Sequence, residues 1–282
     1  MRAQTTRIAY NQGIAYDPLR AAFFFDGVTS ATDSGVYRTG ARLRPTGANT
    51  TAIPKTIEGY NHAGDLSFDP RRRRLLLALE CYYPASGGNT CGTGAIAVLD
   101  PVTLRARYYV NLARHQIHKA MWAEIDPAGR WIWTSNARHL LAYRASDVNP
   151  RTARRQRARR TGGIVGVDLG RVLPNAGVTG ATFLPGANPE RADLLLSVNL
   201  GDEFEVVSLP TAITAAGLPR LDSRRSRTII TVTRSTSNDE PEGLAATASG
   251  VGALPLGGVL HWQMLPKLTR STLYSRILTF AP

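Results

Sequence analysis

His62, Asp65, Glu124 and Glu242 are the residues of this 282-residue chain whose types could act together chemically. His62 lies in Gly59-Tyr60-Asn61-His62-Ala63-Gly64-Asp65, and two more of the five histidines lie in His115-Gln116-Ile117-His118-Lys119. The densest acidic group is Asp239, Glu240 and Glu242, within Asn238-Asp239-Glu240-Pro241-Glu242. Three chemistries are open to such a set. Asn61, Asp65, Glu124 and Glu242 could hold a hard cation such as Ca2+, which takes six to eight oxygen ligands. His62 with Glu242 or Asp65 could form an acid–base pair for hydrolysis or elimination. The same groups could instead satisfy one another and water in a wet channel.

These residues are far apart in sequence, so a repeated architecture must bring them together. A short apolar strand ending in Asp-Pro, or a similar turn, followed by a strongly apolar strand recurs along the chain. The first copy is Gly13-Ile14-Ala15-Tyr16-Asp17-Pro18 and then Ala22-Phe23-Phe24-Phe25-Asp26. The second is Asp65-Leu66-Ser67-Phe68-Asp69-Pro70 and then Leu75 to Glu80; the third is Ala123-Glu124-Ile125-Asp126-Pro127 and then Trp131 to Ser135. Fainter copies follow at 180–198 and 242–262. Asp17, Asp69 and Asp126 are 52 and 57 residues apart. A period near 50 made of short strands and turns predicts a β-propeller. In each turn the Asp side chain caps the backbone and Pro presets φ for the next residue.

Counting the copies gives an all-β fold of about five four-stranded blades, with six as the alternative, in one domain spanning 1–282. The last copy lacks one strand, and Thr5-Thr6-Arg7-Ile8-Ala9 is available to supply it beside 273–280. That pairing would close the ring and cover a sticky edge. The links from each outer strand to the next inner strand then lie on one face: 10–12, 58–62, 115–119, 175–179 and 238–242. They hold His62, His115, His118 and the acidic cluster, which marks that face as the working one.

The remaining signals are weaker. Cys81 and Cys91 flank a Gly- and Pro-rich loop, which fits a disulfide and an exported, extracytoplasmic protein. The first seven residues show no apolar signal-peptide core. No run of 18 apolar residues is present, so we expect no membrane span. The net charge of +13 comes almost wholly from arginine. It reads as solubility or as binding to a polyanion. The segment 149–163 contains Arg151 to Arg160 with no apolar anchor, and reads as an exposed, mobile basic loop inserted in the third blade. Trp131 and Trp133 face one side of a strand and read as packing between blades, and Glu80 reads as paired with an arginine or capping the cysteine loop. Tyr82-Tyr83 and Tyr108-Tyr109 could stack on a ligand or pack between blades. No G-x-S-x-G, P-loop, C-x-x-C or H-E-x-x-H occurs.

The stretches Gly59 to Asp65, Glu80-Cys81-Tyr82-Tyr83-Pro84 and Pro241-Glu242-Gly243-Leu244 resemble those of secreted bacterial β-propellers. They are similar to the calcium-dependent gluconolactonase, strictosidine-synthase and phytase-esterase groups. The resemblance implies a metal at the channel mouth, held by Glu and Asn/Asp side chains; Glu242 and Asn61 are the positions that carry over. Those groups usually have six blades, against the five counted. The sequence thus predicts an exported, monomeric propeller binding a small molecule or protein at its mouth, with Ca2+ as the candidate cofactor. A metal-dependent hydrolase or lyase acting on a small ester, lactone or glycoside, and polyanion binding through Arg151–Arg160, are the alternatives.

Overall fold

The computed structural model describes residues 2–280 apart from 8, 31–32, 51–59, 84–87, 90, 160–162, 174–176, 185–187, 234–238, 248–259 and 267–273. Five antiparallel sheets form the five blades of a β-propeller. Blade I is built from Ile14–Asp17, Ala22–Ser30, Asp33–Gly40 and Pro45–Asn49, from the axis outward. Blade II uses His62–Asp69, Arg74–Glu80, Ala95–Leu99 and Ala106–Asn111, and blade III uses Glu124–Ile125, Trp131–Ser135, Leu140–Arg144 and Val167–Asp168. Blade IV uses Val178–Phe183, Arg191–Asn199, Glu203–Ile213 and Arg227–Thr233, with Pro219–Leu221 also paired to its third strand. Blade V uses Asp239–Ala246, Leu260–Pro266 and Tyr274–Phe280, and its outer strand is the N-terminal Arg2–Arg7.

The expected closure is present, in the register Arg2↔Thr279 to Arg7↔Tyr274. The closing strand lies a little earlier than the sequence predicts, because the chain turns before Tyr10. The Tyr10 amide bonds the Arg7 carbonyl at 3.0 Å, and the Tyr10 ring stacks on Phe25 at 4.6 Å. A buried Gln263 side chain donates to the Tyr10 carbonyl and ties blade V to this first link.

Alternation within the middle strands explains the ring. Side chains on a strand point to opposite faces in turn. Leu75, Leu77 and Leu79 of blade II therefore pack with Phe24 and Val36 of blade I. Leu76 and Ala78 pack the other way, with Ile132 and Tyr143 of blade III. Trp131 and Trp133 meet Phe183 and Leu194 across the next seam, which confirms their packing role. Leu195 and Phe204 meet Leu244 and Trp262, and Ala245 and Ile277 meet Ile14 and Phe23, so the series returns to blade I.

The Asp turns work as the sequence suggests. Asp17 Oδ1 accepts the Leu19 amide at 2.8 Å. Asp69 Oδ1 accepts the Arg72 amide at 3.1 Å, and Asp126 accepts those of Arg130 and Trp131 at 2.8 and 3.1 Å. The segment 149–163 corrects the expectation of a mobile loop: Pro150–Arg159 is an α-helix. Asn149 caps it by accepting the Thr152 amide at 2.9 Å, and Pro150 occupies the first turn, where its missing N–H costs nothing. Ala153 is buried against blades II and III, and Gln156 bonds both the amide and the carbonyl of Asn111 at 2.9 Å. The anchor is one small apolar residue and one amide, which a scan for large apolar residues passes over.

Candidate functional site

Inner strands start at the face carrying the outer-to-inner links and end at the Asp turns. The mouth therefore collects the first residues of each inner strand and the last residues of each second strand. In blade II this register sets His62 opposite Glu80. His62 Nδ1 lies 3.1 Å from Glu80 Oε1, and Lys119 Nζ lies 3.6 Å from Glu80 Oε2. Glu80 is almost wholly buried, whereas the His62 side chain keeps 20% and Lys119 50% of its exposure. Burial alone would raise the Glu80 carboxyl; the His62 hydrogen bond and charge, with the Lys119 ammonium, overturn that and hold it below the usual carboxylate range. The carboxylate set against His62 is thus Glu80, rather than the expected Glu242 or Asp65. The cation beside Glu80 is a lysine, rather than an arginine.

The disulfide lies immediately beyond. Cys81 and Cys91 are bonded, with Cα atoms 5.5 Å apart, as the spacing predicts. The residues that follow Cys91 are fastened to the link 112–123. The Gly94 amide bonds the Ile117 carbonyl at 3.2 Å, Thr93 Oγ1 donates to the Leu112 carbonyl at 2.8 Å, and His118 Nδ1 is 3.3 Å from the Gly92 carbonyl. His115 is exposed, and the Asn61 carbonyl accepts the Ser34 hydroxyl at 3.2 Å at the seam of blades I and II.

Deeper along the axis, Asp65 joins four inner strands. Its Oδ1 accepts the amides of Ile14 at 3.1 Å and Leu66 at 2.9 Å; its Oδ2 accepts those of Ala181 at 3.1 Å and Leu244 at 3.3 Å. One buried carboxylate thus binds blades I, II, IV and V together. Glycine makes this approach possible: a Cβ on Gly243 would stand 2.3 Å from Asp65 Oδ1. Burial pushes the Asp65 carboxyl up to about 8, against the pull of the four amides.

Asp26, at the mouth side of blade I, is fully buried, and among the described residues neither of its oxygens has a hydrogen-bond partner of good geometry. The place a Gly13 Cβ would take is 2.2 Å from Asp26 Oδ1 and 2.8 Å from Asp65 Oδ1, so both carboxylates border one glycine. Burial and then the Asp65 charge raise Asp26 well above the usual range, only partly offset by the Gly13 and Asp26 amides. Glu242, also buried, is raised by burial and by the nearby charges of Glu240, Asp26, Asp65 and Glu80. Glu124 lies on the other side of Asp65, beside Ser67 and the Phe183 amide, and is raised by burial and by Asp65.

The sequence-predicted residues therefore fall into two levels. His62 and Asn61 are at the rim; Asp65, Glu124 and Glu242 are along the axis. Asp26 and Glu80 were missed as site residues. Counting back from the Asp17 turn sets Asp26 opposite Gly13, whereas an irregularity between Ala63 and Leu66 shifts the blade II hairpin by one residue and brings Glu80 opposite His62 rather than Ala63. Among the described residues, no three His, Cys, Asp or Glu side chains are already closed around a common metal position. Glu58, Gly59, Pro84, Arg160, Asn175, Ala176 and Asn238, and the side chains of Tyr82, Tyr83 and Asp239, lie outside the described residues. Tyr109 is buried between blades. Among the described residues, no helix is long and apolar enough to cross a membrane.

No family model matches the chain, and no curated protein matches it. Solved structures do resemble it. The glutaminyl cyclase of Myxococcus xanthus is 10% identical over 99% of this chain and 93% of that one, with a TM-score of 0.51. The PQQ domain of pyranose dehydrogenase from Coprinopsis cinerea is 11% identical over 99% and 97%, with a TM-score of 0.44. A putative 6-phosphogluconolactonase from Bacteroides uniformis is 12% identical over 89% and 63%, with a TM-score of 0.42. At these identities the likeness concerns the fold alone; the sheets traced above make the chain a five-bladed β-propeller, closed by its own N-terminal strand.

Proposed function

We propose that this chain is an exported propeller that binds a small molecule or protein at its channel mouth, around a calcium ion held by the axial carboxylates. The observation that carries the reading is Asp26, which is fully buried and has no hydrogen-bond partner of good geometry for either oxygen among the described residues. An isolated buried carboxylate is costly unless it is protonated or meets a cation. Asp26 shares its surroundings with Asp65 and Glu242, and the chemistry of that set is all hard oxygen. Asp26, Glu242 and Asp65 would hold the ion, with Glu124 below and Asn61 at the rim. The ion would neutralise the axis and offer open coordination sites to an oxygen-bearing ligand. The Cys81–Cys91 bond supports the exported assignment, because disulfides persist in oxidising compartments. In thermal melting with Ca2+ or EDTA, we expect calcium to raise the transition of the wild-type protein and not that of Glu242→Gln. An identical transition with and without calcium would remove the cation from the proposal.

The His62–Glu80 contact favours a second reading. The buried Glu80 carboxylate 3.1 Å from Nδ1 orients the ring and leaves its other nitrogen to act as the base. Glu242, raised by burial and by the neighbouring carboxylates, would be the matching acid. The corresponding activity is hydrolysis or elimination on a small ester, lactone or glycoside. Turnover in a panel of such substrates, abolished by His62→Ala, would establish it; no turnover across the panel leaves the mouth a binding site alone.

A further inference from the structure

A second concave site lies at the opposite end of the propeller, independent of the axial reading. Between blades II and III, next to the turn that follows Asp69, a cleft of about 580 Å³ is lined by Arg72, Arg74, Arg107 and Arg154 with Val98 and Val148. The four guanidiniums do different things. Arg74 is 5% exposed and is held rigidly: Nε bonds Asp69 at 3.0 Å, Nη1 bonds the Val148 carbonyl at 2.6 Å, and Nη2 bonds the Ala145 carbonyl at 3.0 Å. It forms a fixed positive wall. Arg72 spends Nη1 on Asp69 and the Gly129 carbonyl, at 3.0 and 2.9 Å, and its remaining donors are without an acceptor among the described residues. Arg107 pairs with Asp100 at the exposed edge. Arg154 is exposed and has no carboxylate partner among the described residues.

The carboxylates in contact with these four arginines are Asp69, shared by Arg72 and Arg74, and Asp100. Two positive charges are therefore left over in one concavity. The helix Pro150–Arg159 begins at the same cleft, and its amide dipoles add to the positive potential there. Uncompensated arginines around a cleft suit an oxyanion that carries two or more charges, because a planar guanidinium matches phosphate and sulfate with paired hydrogen bonds. The cleft is larger than a bare ion needs, and Val98 and Val148 give it an apolar side, so an organic phosphate or sulfate ester fits better than the inorganic ion.

We propose that this cleft is a binding site for a small phosphate- or sulfate-bearing ligand, gripped by Arg72, Arg107 and Arg154 against the fixed charge of Arg74. The site is separate from the mouth and needs no calcium. It also differs from the expectation of a polyanion lying along a mobile arginine loop, since the helix is anchored and the cleft is concave.

The test is titration calorimetry and thermal melting of the full chain with inorganic pyrophosphate, sulfate and acetate, at matched ionic strength and in EDTA. We expect pyrophosphate to bind and raise the melting transition, sulfate to bind more weakly, and acetate to do neither. Arg154→Glu, at an exposed position without a carboxylate partner among the described residues, should weaken pyrophosphate at least tenfold while leaving the transition of the free protein in place. Arg107→Ala should weaken it less, because Asp100 already occupies part of that group. Arg227→Ala, on the outer strand of blade IV, should leave the affinity unchanged. Equal responses to acetate and pyrophosphate, or undiminished affinity in Arg154→Glu, would overturn the proposal. So would an equal loss in Arg227→Ala, which would mean only general attraction to a basic protein.

Discussion

The two ends of the inner strands bury carboxylates in opposite company. At the turn end, Asp17, Asp69 and Asp126 are buried, and each accepts backbone amides. Asp17 and Asp69 also meet arginines, with Arg20 at 2.8 Å and both Arg72 and Arg74 at 3.0 Å. Toward the mouth, Asp26 and Glu242 are as deeply buried but sit among other carboxylates. Asp65 stands between these extremes, with four amides and, among the described residues, no cation in hydrogen-bond contact. Identical burial therefore carries different meanings. Where the fold itself supplies the donors, a buried aspartate is structural. Where it supplies too few, the deficit marks a place for a proton, an ion or a ligand.

Substitutions at the two ends should diverge in size and in sign. The largest loss should follow Asp69→Ala, which strands the buried Arg74 guanidinium and uncaps a turn; removing one partner of a buried pair costs about 3–5 kcal/mol. Denaturant unfolding measures it. Asp65→Asn comes next, because an amide NH2 must face amide donors, and each stranded buried group costs roughly 1–3 kcal/mol. Reducing Cys81–Cys91 should cost about 2–3 kcal/mol by loop entropy, read from melting with and without reductant.

Asp26→Asn should be the smallest change at acid pH and should turn favourable as pH rises. A carboxyl raised in the folded state contributes its full stability below its ordinary value and loses it as pH climbs through the raised one. For Asp65 that window runs from its ordinary 3.8 up to about 8, and Asp26 loses stability in the same direction. In EDTA, the melting temperature of Asp26→Asn relative to wild type should therefore rise between pH 5 and 9. A flat difference would mean that Asp26 is already neutralised by a partner within the fold.

The sequence made the turn end more legible than the mouth. An Asp-Pro turn is a local device, and Asp17, Asp69 and Asp126 announce it within six residues. The closing strand was legible because an incomplete last blade and a spare first strand are complementary, and the disulfide because its loop is short and rich in Gly and Pro. Hairpin register counted back from the Asp69 turn sets Glu80 opposite Ala63, and the one-residue shift that brings it opposite His62 shows only in the structure. Pro150 behind Asn149 is a helix-start signal that the arginine run obscured. The electrostatics of the axis could not be read this way. Asp65 accepts amides 51 and 179 residues away, so its surroundings exist only once all five seams have closed. Asp26 looks like the polar end of the strand Phe23-Phe24-Phe25, and only the ring shows that it is buried among other carboxylates.

The decisive measurement is the calcium-dependent shift in melting temperature at pH 8, compared between wild type, Asp26→Asn and Asp17→Asn. The account predicts a shift in wild type, none in Asp26→Asn, and a wild-type-sized shift in Asp17→Asn at a lower starting temperature. An absent shift in wild type, or the same shift in Asp26→Asn, would contradict the claim that the unpartnered axial carboxylates form a cation site.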